Sequence, residues 1–167
     1  MGRIVKTAFI FLLTMTLVAC AGKGKGERDD DSYIRIHNDG SITEYIGEDF
    51  DEDVYSEKDL LKMIEDEMKA YNGRFQTERI SLISSKVSDD EVKIKLAYKS
   101  AEDYASFNGV NLKVTMNEAD GSNVLTIGFP YDIYIDGKII SYSEGIRMVD
   151  EHHLSMDNVD SGYILFK

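Results

Sequence analysis

Cysteine, proline and tryptophan are almost missing from this sequence: 167 residues include one Cys, one Pro and no Trp. A single thiol excludes an intrachain disulfide framework and any zinc site that takes two thiolates from the chain. Histidine is scarce as well, with His37, His152 and His153 as the full set. Basic residues are outnumbered, 19 Lys and Arg against 31 Asp and Glu, for a formal net charge of -12. That deficit excludes a nucleic-acid binder, because phosphate contacts need clustered cations. Catalytic signatures are absent too: no G-x-S-x-G, H-E-x-x-H, S-x-x-K or P-loop pattern occurs.

What remains is a composition that folds. Hydrophobic residues at 43% and charged residues at 30% suit a chain with a buried core, and the length allows one domain. The N-terminus carries an address. Arg3 and Lys6 precede an apolar run over residues 7–19, and Cys20 follows. Thirteen helical residues span roughly 20 Å, short of the ~30 Å hydrocarbon core, so a secretory signal is expected rather than a membrane span. Leu17-Val18-Ala19-Cys20 resembles a bacterial lipobox, in which the thiol accepts diacylglycerol and becomes the first residue after cleavage. Two acyl chains anchor stably where one is marginal. The expected organisation is a lipoprotein signal over 1–19, then a lipidated Cys20 with a flexible tether over 20–31. A single globular domain fills 32–167. The tether holds Gly22, Gly24 and Gly26 among charged residues and has no large apolar side chain. An acidic body is repelled by anionic lipid head groups, so attachment rests on the lipid.

Within the domain, residues 33–37 and 41–46 read as a β-hairpin about Asp39-Gly40. Residues 57–71 read as an amphipathic helix. Leu60, Leu61, Ile64, Met68 and Tyr71 take its inner face, Ser56 and Asp59 form its cap, and Tyr55 with Leu60 forms a hydrophobic staple. Strands are expected over 79–84 and 91–98, the second alternating Val92, Ile94, Leu96 and Tyr98 against Lys93, Lys95 and Lys99. A short helix starts at the Ser100 cap and stops at Asn108-Gly109. The C-terminal third reads as an all-β meander with a turn at Asp136-Gly137. The fold class is therefore α+β: antiparallel sheet with one long and one short helix on one face, and an all-β C-terminal part.

Three stretches carry a resemblance. They are Glu48-Asp-Phe-Asp51 running to Tyr55-Ser56, the segment Lys99-Ser-Ala-Glu-Asp-Tyr104-Ala-Ser-Phe-Asn108, and the closing Tyr163-Ile-Leu-Phe-Lys167. From about residue 33 to the end the chain resembles small uncharacterised lipoproteins of clostridial-type Gram-positive bacteria. The resemblance implies an anchored, extracytoplasmic protein and carries over no catalytic residue.

Candidate chemistry is thin. His152 and His153 point to opposite faces of an extended chain, which suits a metal poorly, and exposed loop positions are expected for all three histidines. The acids Glu48/Asp49, Asp51/Glu52/Asp53 and Asp89/Asp90/Glu91 offer paired carboxylates for glycoside hydrolysis. Asp49, Asp51, Asp53 and Glu57 match positions 1, 3, 5 and 9 of a calcium loop. Val54 then stands where Gly is needed and Leu60 where the bidentate Glu belongs, so no such site is expected. Phe50 and Tyr55 are expected to turn inward there. Tyr131, Tyr134 and Tyr142 are expected to cluster near a hairpin as a binding face. Two functions stay open. One is a membrane-anchored, non-enzymatic binding module for an envelope protein, peptide or glycan. The other is a small envelope hydrolase using paired carboxylates. No cofactor and no metal are expected.

Overall fold

The computed structural model describes residues 32–117, 120–156 and 160–167. The expected signal, Cys20 and the tether lie outside the described residues. Strands β1 (Tyr33–Ile36) and β2 (Ile42–Asp49) pair antiparallel as expected, with Tyr33 opposite Tyr45 and Ile36 opposite Ile42. Helix α1 (Glu57–Asn72) starts at Ser56, whose hydroxyl accepts the Asp59 N–H at 3.3 Å. Its inner stripe buries Ile64, Met68 and Tyr71, while Leu60 and Leu61 are half-buried. Tyr55 departs from expectation. It is 55% exposed, and only Phe50 turns inward, because the 51–55 turn brings the chain back out to the helix start.

Strand β3 (Ile80–Ser88) runs past the expected end at 84. A bulge between Leu82 and Ser84 interrupts the alternation, so its serine-rich second half reads locally as loop yet pairs with β4 (Glu91–Tyr98). Asp89 and Asp90 close this hairpin at φ 58 and 61, the backbone that a two-residue turn matched to strand twist requires. Strand β4 buries Val92, Ile94, Leu96 and Tyr98, as its alternation demands. Helix α2 (Ala101–Asn108) repeats the capping chemistry of α1, Ser100 accepting the Asp103 N–H at 3.1 Å. It ends on Gly109 in the left-handed region.

The remaining strands are β5 (Leu112–Asn117), β6 (Ser122–Ile127), β7 (Asp132–Ile135), β8 (Ile139–Tyr142), β9 (Arg147–Met148), β10 (His153–Ser155) and β11 (Gly162–Phe166). They sort into two sheets, β3-β4-β2-β1-β7-β10-β9 and β5-β6-β11-β8. The α+β class with a β-rich C-terminal part holds, but the meander does not. Strands β7 and β8 enter different sheets, and β7 pairs parallel with β1, Ile34 facing Ile133. Asp136-Gly137 is thus a crossover and not a hairpin turn. Gly137 permits it: a Cβ there would sit 2.8 Å from the Lys167 carbonyl oxygen. The adjacent Lys138 and Lys167 exchange backbone hydrogen bonds of 2.7 and 2.9 Å.

One hydrophobic cluster joins the inner faces of both sheets to both helices. It includes Ile34, Ile36 and Leu96 from the first sheet, Leu125 and Phe166 from the second, Ile64 from α1 and Tyr104 from α2. Helix α1 lies along β3, and α2 bridges β4 to β5. The period-2 alternation leaves the other face of the seven-stranded sheet to polar and aromatic side chains.

Candidate functional site

That outer face holds a ladder of rings from four strands, extended by a lysine from a fifth. Lys95 of β4 lies over the Tyr45 ring at 4.6 Å, and Tyr45 stacks on Tyr33 with centroids 4.2 Å apart and planes at 17°. Tyr33 meets Tyr134 at 4.7 Å, and Tyr134 stacks on His153 at 4.2 Å. The Arg35 guanidinium covers Tyr134 at 5.5 Å. Burial, reinforced by the Tyr45 charge, holds the Tyr33 hydroxyl above its usual range. The tyrosine cluster expected from residues 131, 134 and 142 does not form. Tyr131 packs on Phe129, Tyr134 joins the ladder, and Tyr142 belongs to the second sheet. Their closeness in sequence spans the crossover that separates the sheets. His153 is likewise a buried strand residue and not a loop histidine, because its register opposite Tyr134 sets it against that ring.

Cations gather on the same face. Lys86 of β3 stands directly opposite Lys93 of β4, and Ser84 opposite Lys95. Like charges directly opposite are unfavourable in a sheet. Glu91 lies 3.7 Å from Lys93 and offsets part of this.

Beside the ladder runs a polar relay. Asp136 Oδ2 is 2.6 Å from His37 Nδ1, and His37 Nε2 is 2.8 Å from Thr43 Oγ1. Asp136 Oδ1 also meets Arg35 at 3.3 Å. A carboxylate only accepts, so Nδ1–H donates to Asp136, and in the neutral ring Nε2 accepts the threonine hydroxyl. This is the proton arrangement of an acid–base–nucleophile relay. Acyl transfer further needs donors aimed at a developing oxyanion. Thr43 lies in a strand paired on both sides, so its N–H points into the sheet, and the residue is 7% exposed. The relay ties the β1–β2 hairpin to the crossover.

A neighbouring hollow of about 430 Å³ is bounded by Arg35, Tyr134, Asp136, Asp150, Glu151 and His152. Its carboxylates are engaged or hydrated. Asp136 is held by His37 and Arg35, Asp150 accepts the His152 N–H at 2.8 Å, and the Glu151 side chain is 88% exposed. A general acid needs a desolvated carboxyl, which this hollow lacks. The acids 48–49 and 89–91 do come together, Asp49 opposite Glu91 and the Phe50 N–H on the Asp90 carbonyl at 2.6 Å. Burial, then Asp49, raises the Glu48 pKa. Among the described residues, no three His, Cys, Asp or Glu side chains converge as metal ligands.

Sequence reasoning missed a fully buried carboxyl. Glu44, on the inner face of β2, accepts the Tyr98 hydroxyl at 2.5 Å and the Tyr104 hydroxyl at 3.3 Å. Asn108 donates to the Tyr98 oxygen at 3.3 Å. Burial pushes Glu44 up to about 7, against the opposing pull of these donors. The signal was present: Glu44 shares its face with Ile42 and Ile46. At 2% exposure it meets no substrate.

The fold defines an α+β protein with an aromatic, cation-bearing sheet face. No family model matches the chain, and no curated protein or solved structure matches it either.

Proposed function

We propose that the chain is a lipid-anchored, extracytoplasmic binding module that docks a protein of the cell envelope. Attachment is through Cys20, with residues 20–31 as tether. The lipobox, the cationic start of the signal and the resemblance to clostridial-type lipoproteins support this address. One observation carries the binding reading: the outer sheet face gathers Arg35, Lys86, Lys93 and Lys95 around stacked tyrosines in a chain of net charge -12. Aromatic and arginine side chains are enriched where proteins meet. A glycan is the weaker partner, since a sugar needs an open ring face and these rings stack on one another. Hydrolysis by paired carboxylates is weaker again, because the desolvated carboxyl is sealed and the open ones are hydrated.

Two experiments test this. Cys20→Ala should leave the protein uncleaved by the lipoprotein-specific peptidase, whereas the wild type should partition with membranes and its mature form should begin at residue 20. A different mature N-terminus removes the lipoprotein reading. A photo-crosslinker at Tyr45 should capture one envelope protein in the native cell, and one at Lys113, on the second sheet, should not. Equal capture from both positions removes the outer face as the docking surface.

A further inference from the structure

We infer that the edge strand β3 and the groove beside α1 form a docking site for an extended, acidic segment of a partner protein, which adds as an eighth strand. This deepens the binding-module reading and rests on it. Strand β3 ends the sheet, with β4 on one side only. Its first residue shows what the free side accepts. The Asn72 side chain takes the Ile80 N–H at 3.0 Å and donates to the Ile80 carbonyl at 2.8 Å, so one amide imitates a neighbouring strand. Beyond that point the imitation stops. Among the described residues, the backbone of 81–88 makes no hydrogen bond outside the β3–β4 ladder. A row of strand donors and acceptors open on one side pairs with a chain of the same chemistry.

The groove supplies the second requirement of strand addition, a pocket for alternate side chains. About 540 Å³ in volume, it lies between the C-terminal half of α1 and β3, with apolar Met68, Phe75, Ile80 and Leu82 beside Glu65 and Glu78 in its walls. Phe75 and Ile83 flank it, 41% and 51% exposed. An added strand places every second side chain toward the apolar part of this groove and the others toward the outer face, where Lys86 stands opposite Lys93, itself 3.7 Å from Glu91. Charge therefore selects the occupant. Apolar residues alternating with Asp or Glu fit both sides. A second copy fits neither, because edge-to-edge pairing would bring two Lys86 side chains and two acidic bodies together. The bulge at Leu82 and Ser84, together with Lys86, also guards an edge against indiscriminate pairing. Here they narrow the register and sign of the strand that can add.

The test uses the full chain in detergent micelles and a phage-displayed library of random dodecapeptides. Enriched peptides should alternate apolar with acidic residues and should slow amide hydrogen exchange within 82–88. N-methylation of alternate peptide amides, which removes ladder donors, should weaken binding about tenfold, the equivalent of one or two hydrogen bonds. Lys86→Glu, an exposed change that leaves the core intact, should weaken it roughly threefold, as expected for a surface charge pair. No enrichment, basic peptides, indifference to N-methylation, or slowed exchange confined to the outer face would each overturn the proposal. So would protection of 82–88 by self-association without peptide. Capture from Tyr45 in cells without peptide addition at β3 removes the edge site alone. Peptide addition at β3 without that capture removes the outer face alone.

Discussion

Thr43 and Glu44 are neighbours in β2, and the alternation of a strand sends them to opposite faces of one sheet. Thr43 closes a relay through His37 to Asp136 at the surface, where the His37 and Asp136 side chains are about 30% exposed. Glu44 enters the core and accepts from the Tyr98 and Tyr104 hydroxyls. Polar side chains and short hydrogen bonds occur on both sides, yet the consequences differ. Water screens the outer relay, and its members share charge with Arg35. On the inner side, desolvation outweighs the hydrogen bonds, and the neutral form of the carboxyl is favoured up to about pH 7. Access of water, more than the number of hydrogen bonds, decides which polar cluster costs stability.

The comparison can be broken in several ways. The largest effect is expected from pH. The Glu44 pKa is raised to about 7 from 4.5, so its neutral form stabilises the fold fully below the unfolded value. That contribution is lost as pH rises through about 7. A rise of that size corresponds to about 3 kcal/mol between pH 4 and 8. Glu44→Gln should flatten this part of the profile in urea titrations across that range, and an unchanged profile would place the titration elsewhere.

A smaller loss is expected from Tyr98→Phe, which leaves the buried carboxyl without its 2.5 Å donor. The cost at pH 8 should be about 1–3 kcal/mol, measured by chemical denaturation. On the outer side, Asp136→Asn should cost about 1 kcal/mol or less, and the loss should shrink further in high salt. An equal loss from the inner and outer substitutions would erase the distinction. The smallest effect should come from Lys62→Ala on α1. Its 2.7 Å pair with Asp66 is solvent-exposed, and thermal melts of the variant should coincide closely with those of the wild type.

The two sides also differ in how far they were legible. That Glu44 faces inward follows from its place between Ile42 and Ile46, but its donors sit 54 and 60 residues away. The outer relay was harder still. His37 and Asp136 are 99 residues apart, and they meet only because β1 and β7 run parallel. The ring ladder assembles Tyr33, Tyr45, Tyr134 and His153 from four strands, and none of those positions stands out within its own strand. The tyrosines that do cluster in sequence were split between two sheets.

Elements whose cause is local were read from the sequence by itself. Ser56 and Ser100 start the helices, Asn108-Gly109 stops α2, and the β4 alternation predicts which side chains are buried. The α+β class follows from their order. Capping and periodicity are properties of a few adjacent residues, so a sequence displays them directly. Only the tertiary structure decided that β7 pairs with β1, that Gly137 carries the chain between sheets, and that β3 is left as an edge. The same decision gave Thr43 and Glu44 their particular partners on the two faces of the sheet. Hydrophobic alternation specifies which face of a strand is buried and is silent about which strand lies beside it. That choice was made by the packing of one shared core against two sheets and two helices.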